Sequence, residues 1–258
     1  MNCKVIATSF SPERIIRRPN DAVLRFPDHY QDIKTSYDAL NQIQGIIAFE
    51  LAQKPGVPLD IIIVNSDCSF REGNEYLDAI NGTKTNYGTI RVLHKPNNNG
   101  WSFGAFNYAY EKFKNNYEYW MFTEDDILIG GDKYYFEAME KLDIDKDNAF
   151  VAMVKVCNHS GGQHAGGGIG LTKTKFLDMV IDKYGCLPHF FGKDDTFLDV
   201  QRRRAEVIQH GEIPFTNVYV QLGYKIVPFG NQEEWNLLKN RILPYYDYKN
   251  GRQFYVTT

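Results

Sequence analysis

The chain has 258 residues, 43% of them hydrophobic and 14% aromatic, which is enough apolar material for a packed core in one large domain. Its 29 lysines and arginines are outnumbered by 32 aspartates and glutamates, giving a formal net charge of -3. Duplex nucleic acid requires clustered cations to neutralise its phosphates, and 202–204 is the only basic run. The composition therefore argues against nucleic acid as a partner.

No segment is apolar over a length that could span a membrane, and the first residues lead directly into polar chain. The four cysteines stand far apart and lack the CxxC spacing of zinc and dithiol sites. We therefore expect reduced thiols and a cytoplasmic protein without a transmembrane segment, with any membrane association confined to the periphery.

Short apolar runs alternate with longer amphipathic segments, a pattern typical of an α/β fold with a mainly parallel sheet flanked by helices. The predicted strands are 5–8, 61–64, 89–93, 119–123, 149–154 and 224–227. The predicted helices are 34–53, 102–115, 133–142, 173–183 and 194–210. A glycine-rich stretch at 161–170 lacks the composition of a linker, so we predict a single domain over 1–232 with two lobes. The tyrosine-rich tail 233–258 is expected to pack on its surface.

Polar residues follow three of the predicted strands, where a doubly wound sheet forms its ligand crevice. The first strand ends at Thr8 and Ser9, the second runs into Asn65 and Asp67, and the fourth runs into the acids 124–126. Because the carboxyl ends of parallel strands share one edge of the sheet, we expect these polar groups to converge.

The acids after the fourth strand indicate a metal site. Glu124, Asp125 and Asp126 are consecutive, and their like charges repel unless a cation neutralises them. Glu124 and Asp126 would point the same way in extended chain, and carboxylate oxygens suit Mg²⁺ or Mn²⁺. The alternative is a solvated acidic turn.

Two further segments are candidates for the site. In 97–107, Gly100 permits a left-handed turn and Ser102 can cap the following helix, although an ordinary helix start would look the same. Asp194 and Asp195 stand at the predicted start of the last helix. Either the helix dipole simply favours acids at this position, or one of the two is a general base.

The glycine-rich stretch matches neither the GxGxxG nor the GxxxxGK[ST] pattern, which argues against a dinucleotide-binding dehydrogenase and a P-loop ATPase. Of the six histidines, His164 beside these glycines and His210 at a predicted helix end are the ones that could join a site.

The order of these motifs resembles that of the inverting family-two glycosyltransferases with the GT-A fold. The stretches that carry the resemblance are 5–10, 61–69, 97–107, 122–126, 166–170, 192–198 and 222–226. It implies a nucleotide-diphospho-sugar transferase domain with a nucleotide-binding lobe, 1–126, and an acceptor lobe, 127–232. Asn65 stands where the family commonly has an acid, and Ala205 replaces the tryptophan of the QxxRW motif, which argues against a processive polymer synthase.

By position, the resemblance implies that Glu124 and Asp126 hold Mn²⁺ or Mg²⁺ and that Asp195 is the catalytic base, with Asp194 as the next candidate. Contacts to the nucleotide sugar are assigned to Thr8, Ser9, Asn65, Asp67, Asn99, Gly100, Asn107 and Asp125.

The implied reaction moves a sugar from a UDP, GDP or dTDP donor to a hydroxyl of a glycan, lipid-linked or protein acceptor in one inverting displacement. Two alternatives stay open at this stage: a sugar-phosphate nucleotidyltransferase, and a noncatalytic protein that binds a nucleotide or a glycan. The choice of donor sugar and acceptor depends on loop shape, which the sequence does not indicate. The sequence does not indicate the oligomeric state either.

Overall fold

The computed structural model describes residues 1–10, 35–66, 69–125, 127–159, 162–189, 208–230 and 252–253. The strands are β1 (Asn2–Ser9), β2 (Asp60–Ser66), β3 (Ile90–Lys95), β4 (Tyr119–Glu124), β5 (Ile127–Leu128), β6 (Asn148–Ala152), β7 (Val156–His159), β8 (Gly162–Ala165), β9 (Gly170–Lys173), β10 (Lys225–Pro228) and β11 (Arg252–Gln253). The α-helices are α1 (Ser36–Ala52), α2 (Arg71–Ile80), α3 (Trp101–Phe113), α4 (Tyr134–Asp143), α5 (Thr174–Tyr184) and α6 (Ile213–Gln221). A 3₁₀ turn at Gly166–Gly168 and a π-helical turn at Ile208–Glu212 complete the described elements.

Seven strands form one mixed sheet in the order β10-β6-β9-β4-β1-β2-β3. Strand β9 runs antiparallel to both of its neighbours, β4 and β6, while the other pairs are parallel. This confirms the predicted α/β class with a mainly parallel sheet. Two small pairings stand apart from it, an antiparallel β7–β8 hairpin and a parallel β5–β11 pair.

The order of strands creates a switch point between β1 and β4. The chain proceeds outward from β1 through β2 to β3 and then crosses back to form β4 on the other side of β1. In open α/β sheets the connections leave such a point in opposite directions, and a crevice opens outside the carboxyl ends of the strands. The residues that end β1 and β4 therefore border this crevice.

The central strands are buried on both faces because helices cover both sides of the sheet. On one face, Ile6 and Ile63 pack against α1 and α2. On the other face, Val5 and Val64 pack against α3 within a cluster rich in aromatic side chains. Its fully or nearly fully buried aromatic members are Phe103, Phe106, Tyr110, Trp120, Phe122, Phe150, Phe176, Phe215 and Tyr219. None of the helices within the described ranges has both the length and the apolar character needed to cross a bilayer.

All six predicted strands are confirmed, as are the first four predicted helices, with ends that differ by a few residues. The glycine-rich stretch is not a simple break, because it contains β8 and the 3₁₀ turn and leads into β9. Sequence patterning did not indicate α2, α6 or β9. Helix α2 does have an apolar face, formed by Phe70, Tyr76, Leu77 and Ile80 at helical spacing, but the pattern covers only one short helix.

The last predicted helix, 194–210, lies largely outside the described residues, and its final residues belong to the π-helical turn. The boundary between the two lobes stays a prediction. Of the predicted tail, the structure describes only β11, which pairs with β5 directly after the acidic cluster.

A buried ion pair joins β1 to the elements beneath it. The Lys4 ammonium lies 2.6 Å from Glu50 Oε1 on α1 and 2.6 Å from the carbonyl oxygen of Ile129. It also sits 4.9 Å from the ring centroid of Tyr134 on α4. Burial lowers the pKa of Lys4 and raises the pKa of Glu50, and the opposite charge of the partner counters each shift. The pair thus links the central strand to α1, to α4 and to the chain after β5.

Glu50→Leu is expected to lower the free energy of unfolding by about 3–5 kcal/mol, because it leaves the Lys4 ammonium buried without its carboxylate. The double variant K4M/E50L is expected to recover most of that loss, since no buried charge remains. Urea denaturation measures both. As a control, Glu75→Leu breaks the exposed pair with Arg71 and should change stability by less than about 1 kcal/mol. A double variant no more stable than Glu50→Leu would contradict this account.

Candidate functional site

Asp125 is the centre of a buried junction beside the switch point. The Thr8 hydroxyl at the end of β1 donates to Asp125 Oδ2. Gln42 Nε2 on α1 donates to the Asp125 carbonyl oxygen at 2.9 Å and lies 3.4 Å from Oδ1. The Asp125 backbone N–H donates to the carbonyl oxygen of Ala7 at 3.1 Å. With 3% of its surface exposed, Asp125 turns into the protein and ties β1, α1 and the end of β4 together.

Glu124 turns to the opposite face, because successive side chains of a strand alternate. Its Oε1 accepts a hydrogen bond of 2.5 Å from the Ser102 hydroxyl, in the first turn of α3. The prediction that Ser102 caps α3 is therefore wrong. The N-cap is Gly100, without a side-chain cap bond. Glu124 is partly exposed, so of the two described acids in the cluster it is the one that can face a ligand.

The loop before α3 is held by the side chain of Lys95. Lys95 Nζ donates to the carbonyl oxygens of Asn97 at 2.6 Å and Asn99 at 2.9 Å, and to Asn97 Oδ1 at 2.7 Å. Gly100 adopts the predicted left-handed conformation, with φ of 76°. A Cβ on Gly104 would lie 2.1 Å from the Asn99 carbonyl oxygen, so only glycine fits this first turn of the helix. These glycines shape the loop, and Lys95 brings a buried positive charge next to it.

Asn107 has a structural role in the described chain. Its Nδ2 donates to Glu111 Oε1 at 2.8 Å, and its Oδ1 accepts from the Leu187 backbone N–H at 2.8 Å. Both ends of the amide are engaged, so the side chain anchors the segment that follows α5 to α3. Its position two turns into α3 places it behind the loop rather than in it.

Two buried polar atoms at the end of β2 have no hydrogen-bond partner within the described part of the chain: Asn65 Oδ1 and Ser66 Oγ. Asn65 is fully buried and Ser66 is 1% exposed. Asn65 pairs in register with Thr8 on β1, and Ser66 pairs with Ser9. A buried polar atom without a partner costs free energy that a ligand or a water molecule can recover. This end of β2 is therefore a candidate position for contact with a ligand.

Four of the predicted site residues lie outside the described residues: Asp67, Asp126, Asp194 and Asp195. Among the residues that are described, no three His, Cys, Asp or Glu side chains come together as a metal site. Glu124 can offer a carboxylate at the crevice, and a second carboxylate would have to come from Asp126. The described side chains alone therefore do not complete a site for Mn²⁺ or Mg²⁺.

The two candidate histidines differ in environment. His164 in β8 is 8% exposed, and its Nε2 lies 3.9 Å from Glu212 Oε1. The same Glu212 oxygen accepts from the Gly167 backbone N–H at 2.9 Å. His210 is exposed in the π-helical turn. Within the described ranges, neither histidine forms a hydrogen bond or an ion pair with the residues that end β1, β2 or β4.

Sequence reasoning missed several residues that organise the site, namely Gln42, Asn74, His94 and Lys95. None of them belongs to a motif that marked the candidate site residues. Gln42, for example, reaches Asp125 across 83 positions of the chain, so no local pattern could have indicated the contact.

No protein-family model matches this chain, and no curated protein matches it. The chemistry of the crevice therefore rests on its own residues and their geometry.

Asp125→Ala is expected to lower the free energy of unfolding by about 1–3 kcal/mol, because it removes the acceptor of the buried Thr8 hydroxyl. Urea denaturation measures the loss. Asp132→Ala is the matched control, since Asp132 is an exposed acid a few positions along the chain, and it should change stability by less than about 0.5 kcal/mol. Equal stability of the two variants would show that Asp125 does not hold the junction.

Proposed function

We propose that this protein is a metal-dependent glycosyltransferase that moves a sugar from a nucleotide-diphosphate sugar to an acceptor hydroxyl with inversion. The observation that carries the proposal is the crevice at the β1–β4 switch point, beside which β2 ends in a fully buried amide whose oxygen has no hydrogen-bond partner among the described residues. Crevices of this kind are where α/β sheets bind nucleotides. The GT-A identity of the fold belongs to the same proposal, and the mainly parallel sheet with an acidic segment directly after β4 supports it.

The nucleotide would lie over the ends of β1 and β2. Thr8 is already committed to Asp125, so its contribution is to shape the rim of the crevice. Ser9 and Ser66, register partners on the face that α3 covers, offer hydroxyl groups for the donor. Lys95 pairs with Ser66 in the next strand, and its ammonium favours an anionic diphosphate on this side.

The metal would be held by Glu124 and Asp126. When bound, Mn²⁺ or Mg²⁺ would neutralise the negative charge of the departing diphosphate. Glu124 keeps its place through the Ser102 hydroxyl, which links it to α3. Asp125 takes no part in this role, because its carboxylate faces Thr8 and Gln42.

The transfer itself would be a single displacement. The acceptor oxygen forms a bond to the anomeric carbon while the bond from that carbon to the diphosphate oxygen breaks, and the leaving diphosphate keeps the electron pair. Asp195 would accept the proton of the acceptor hydroxyl as general base, with Asp194 as the alternative. The acceptor would be a glycan, lipid-linked or protein hydroxyl.

Metal dependence can be tested with UDP, GDP, dTDP and CDP in titration calorimetry, with Mn²⁺ and with a chelator. We expect at least one nucleoside diphosphate to bind more tightly with Mn²⁺, because a cation held by Glu124 and Asp126 would neutralise the charge of the diphosphate. Asp126→Ala is expected to remove this gain, and Asp132→Ala is expected to keep it. Binding that is equally tight in the chelator would overturn the metal site and favour a noncatalytic nucleotide-binding protein.

Asp195→Asn is expected to lower kcat by about 10²- to 10⁴-fold while leaving the affinity for the donor nearly unchanged, because a general base acts on the acceptor and not on the donor. The measurement is release of nucleoside diphosphate from a panel of nucleotide sugars. Asp194→Asn is the matched control. If Asp194→Asn shows the loss and Asp195→Asn does not, the base is Asp194. Pyrophosphate release from a nucleoside triphosphate and a sugar phosphate would instead favour a nucleotidyltransferase.

A further inference from the structure

Trp101, the first residue of α3, has a backbone conformation that disfavours tryptophan. Its φ is 49°, and within the described ranges Lys133 is the only other residue besides glycine with a positive φ. The left-handed region crowds the Cβ atom of an L-residue against the backbone, so a bulky side chain adopts it only at a cost in free energy. The Trp101 N–H donates to the carbonyl oxygen of Asn98 at 3.0 Å, which closes the turn before the helix. The start of α3 therefore contains a strained tryptophan.

Contacts on both sides of Trp101 hold this strained conformation. Before it, Lys95 Nζ donates to the carbonyl oxygen of Asn99 at 2.9 Å. After it, the Ser102 hydroxyl donates to Glu124 Oε1 at 2.5 Å. Strain of this kind persists only where the surrounding structure fixes the backbone, and it concentrates at sites that bind ligands. The loop before α3 and the end of β4 together therefore determine where the indole of Trp101 lies.

The indole lies between the core and the rim of the crevice. Trp101 is partly exposed, and it packs against the aromatic cluster on the α3 face of the sheet. The residue after it, Ser102, contacts the end of β4, so the first turn of α3 borders the crevice. The core thus covers part of the indole, and the exposed part stands at the rim, where a ligand would lie.

Tryptophan is not the residue that this backbone requires. Glycine and asparagine tolerate a positive φ more readily, and three asparagines, at 97–99, precede this position. What an indole adds is a flat ring with a negative face, which attracts the C–H groups on one face of a pyranose ring. A pyranose that stacks in this way keeps the hydroxyls at its edge available for hydrogen bonds to the polar groups of a site.

We propose that Trp101 is the platform on which a pyranose ring stacks in the crevice. The inference rests on the proposed function and deepens it, because it assigns the residue that binds the sugar ring. The ring of the donor sugar and the ring of a glycan acceptor share this chemistry, and the arms of the experiment distinguish them. The nucleoside diphosphate by itself makes no use of the platform.

The first test compares the unmodified chain with Trp101→Ala by titration calorimetry in Mn²⁺. The donor probes are UDP-glucose, UDP-N-acetylglucosamine, GDP-mannose and dTDP-glucose, each beside its nucleoside diphosphate. The acceptor probes are the methyl β-glycosides of glucose, galactose and N-acetylglucosamine, with a nucleoside diphosphate present. Trp101→Ala is expected to weaken the best sugar-bearing probe by about 3- to 10-fold, the value of one aromatic stacking contact, and to leave the nucleoside diphosphate unchanged. A loss among the donor probes assigns the ring to the donor, and a loss among the glycosides assigns it to the acceptor.

Trp101→Phe and Trp101→Gly separate stacking from general structural damage. Phenylalanine keeps an aromatic face, so its affinity for the sugar is expected to stay within about 2-fold of that of the unmodified chain. Glycine adopts a φ of 49° without strain. Trp101→Gly is therefore expected to have a higher urea midpoint than Trp101→Ala while it binds the sugar as weakly.

Tyr108→Ala is the matched control. Tyr108 lies two turns along the same face of α3, is partly exposed and packs against the same aromatic cluster. Its hydroxyl donates to the carbonyl oxygen of His94 at 3.4 Å, on the edge strand β3. Tyr108→Ala is expected to leave every affinity unchanged.

The platform is overturned if every sugar-bearing probe binds Trp101→Ala as tightly as the unmodified chain, or if Trp101→Phe loses as much affinity as Trp101→Ala. The proposed function still stands in either case, provided that a nucleoside diphosphate binds with Mn²⁺. If no nucleoside diphosphate binds the unmodified chain, the proposed function fails, and the glycosides titrated alone decide the platform. Glycoside binding that does not depend on Trp101, or no glycoside binding, then overturns it as well.

Discussion

The buried carboxylate of Asp125 is the interaction on which the candidate site depends. It is bound by Thr8 from β1 and Gln42 from α1, and its backbone N–H bonds to β1, so three elements meet at one side chain. Asp125 directly follows β4, and the crevice of the sheet opens between β1 and β4. The junction therefore ties the end of β1 to the end of β4, the two strands that border the crevice. A buried acid of this kind is retained because its hydrogen bonds offset the cost of its burial.

The alternation of side chains along β4 divides the neighbouring acids between two tasks. Asp125 faces α1 and belongs to the frame, whereas Glu124 faces α3 and remains partly exposed. At the other end of β1, the charge of Lys4 also belongs to the frame. Its ammonium forms a buried ion pair with Glu50, away from the crevice. The charges on β1 and its surroundings are thus paired at one end of the sheet, and the polar groups that could meet a ligand are collected at the other.

The end of β2 differs from both junctions, because its polar atoms are incompletely paired. The side-chain amide of Asn65 contacts Asn74 and His94 through its NH₂ group. Its oxygen has no hydrogen-bond partner among the described residues. In a protein interior such an atom is costly, and it persists where binding recovers the cost. Beside the Asp125 junction there is thus an acceptor without a partner among the described residues, which supports the proposal of a bound nucleotide.

The sequence by itself determined the class of the fold, and it predicted where a candidate site would lie. Apolar runs predicted six of the seven strands of the main sheet, and the polar residues that end them predicted which edge of the sheet would carry a ligand crevice. The left-handed conformation of Gly100 was also legible, because the requirement is local. Helix α2 was not predicted, although Tyr76, Leu77 and Ile80 form an apolar face, because the pattern extends over only one short helix. Only the tertiary structure decided that Asp125 turns inward and that Asn65 presents its oxygen. Those outcomes depend on hydrogen bonds to Gln42 and His94, which are distant in the chain and leave no periodic signal in it.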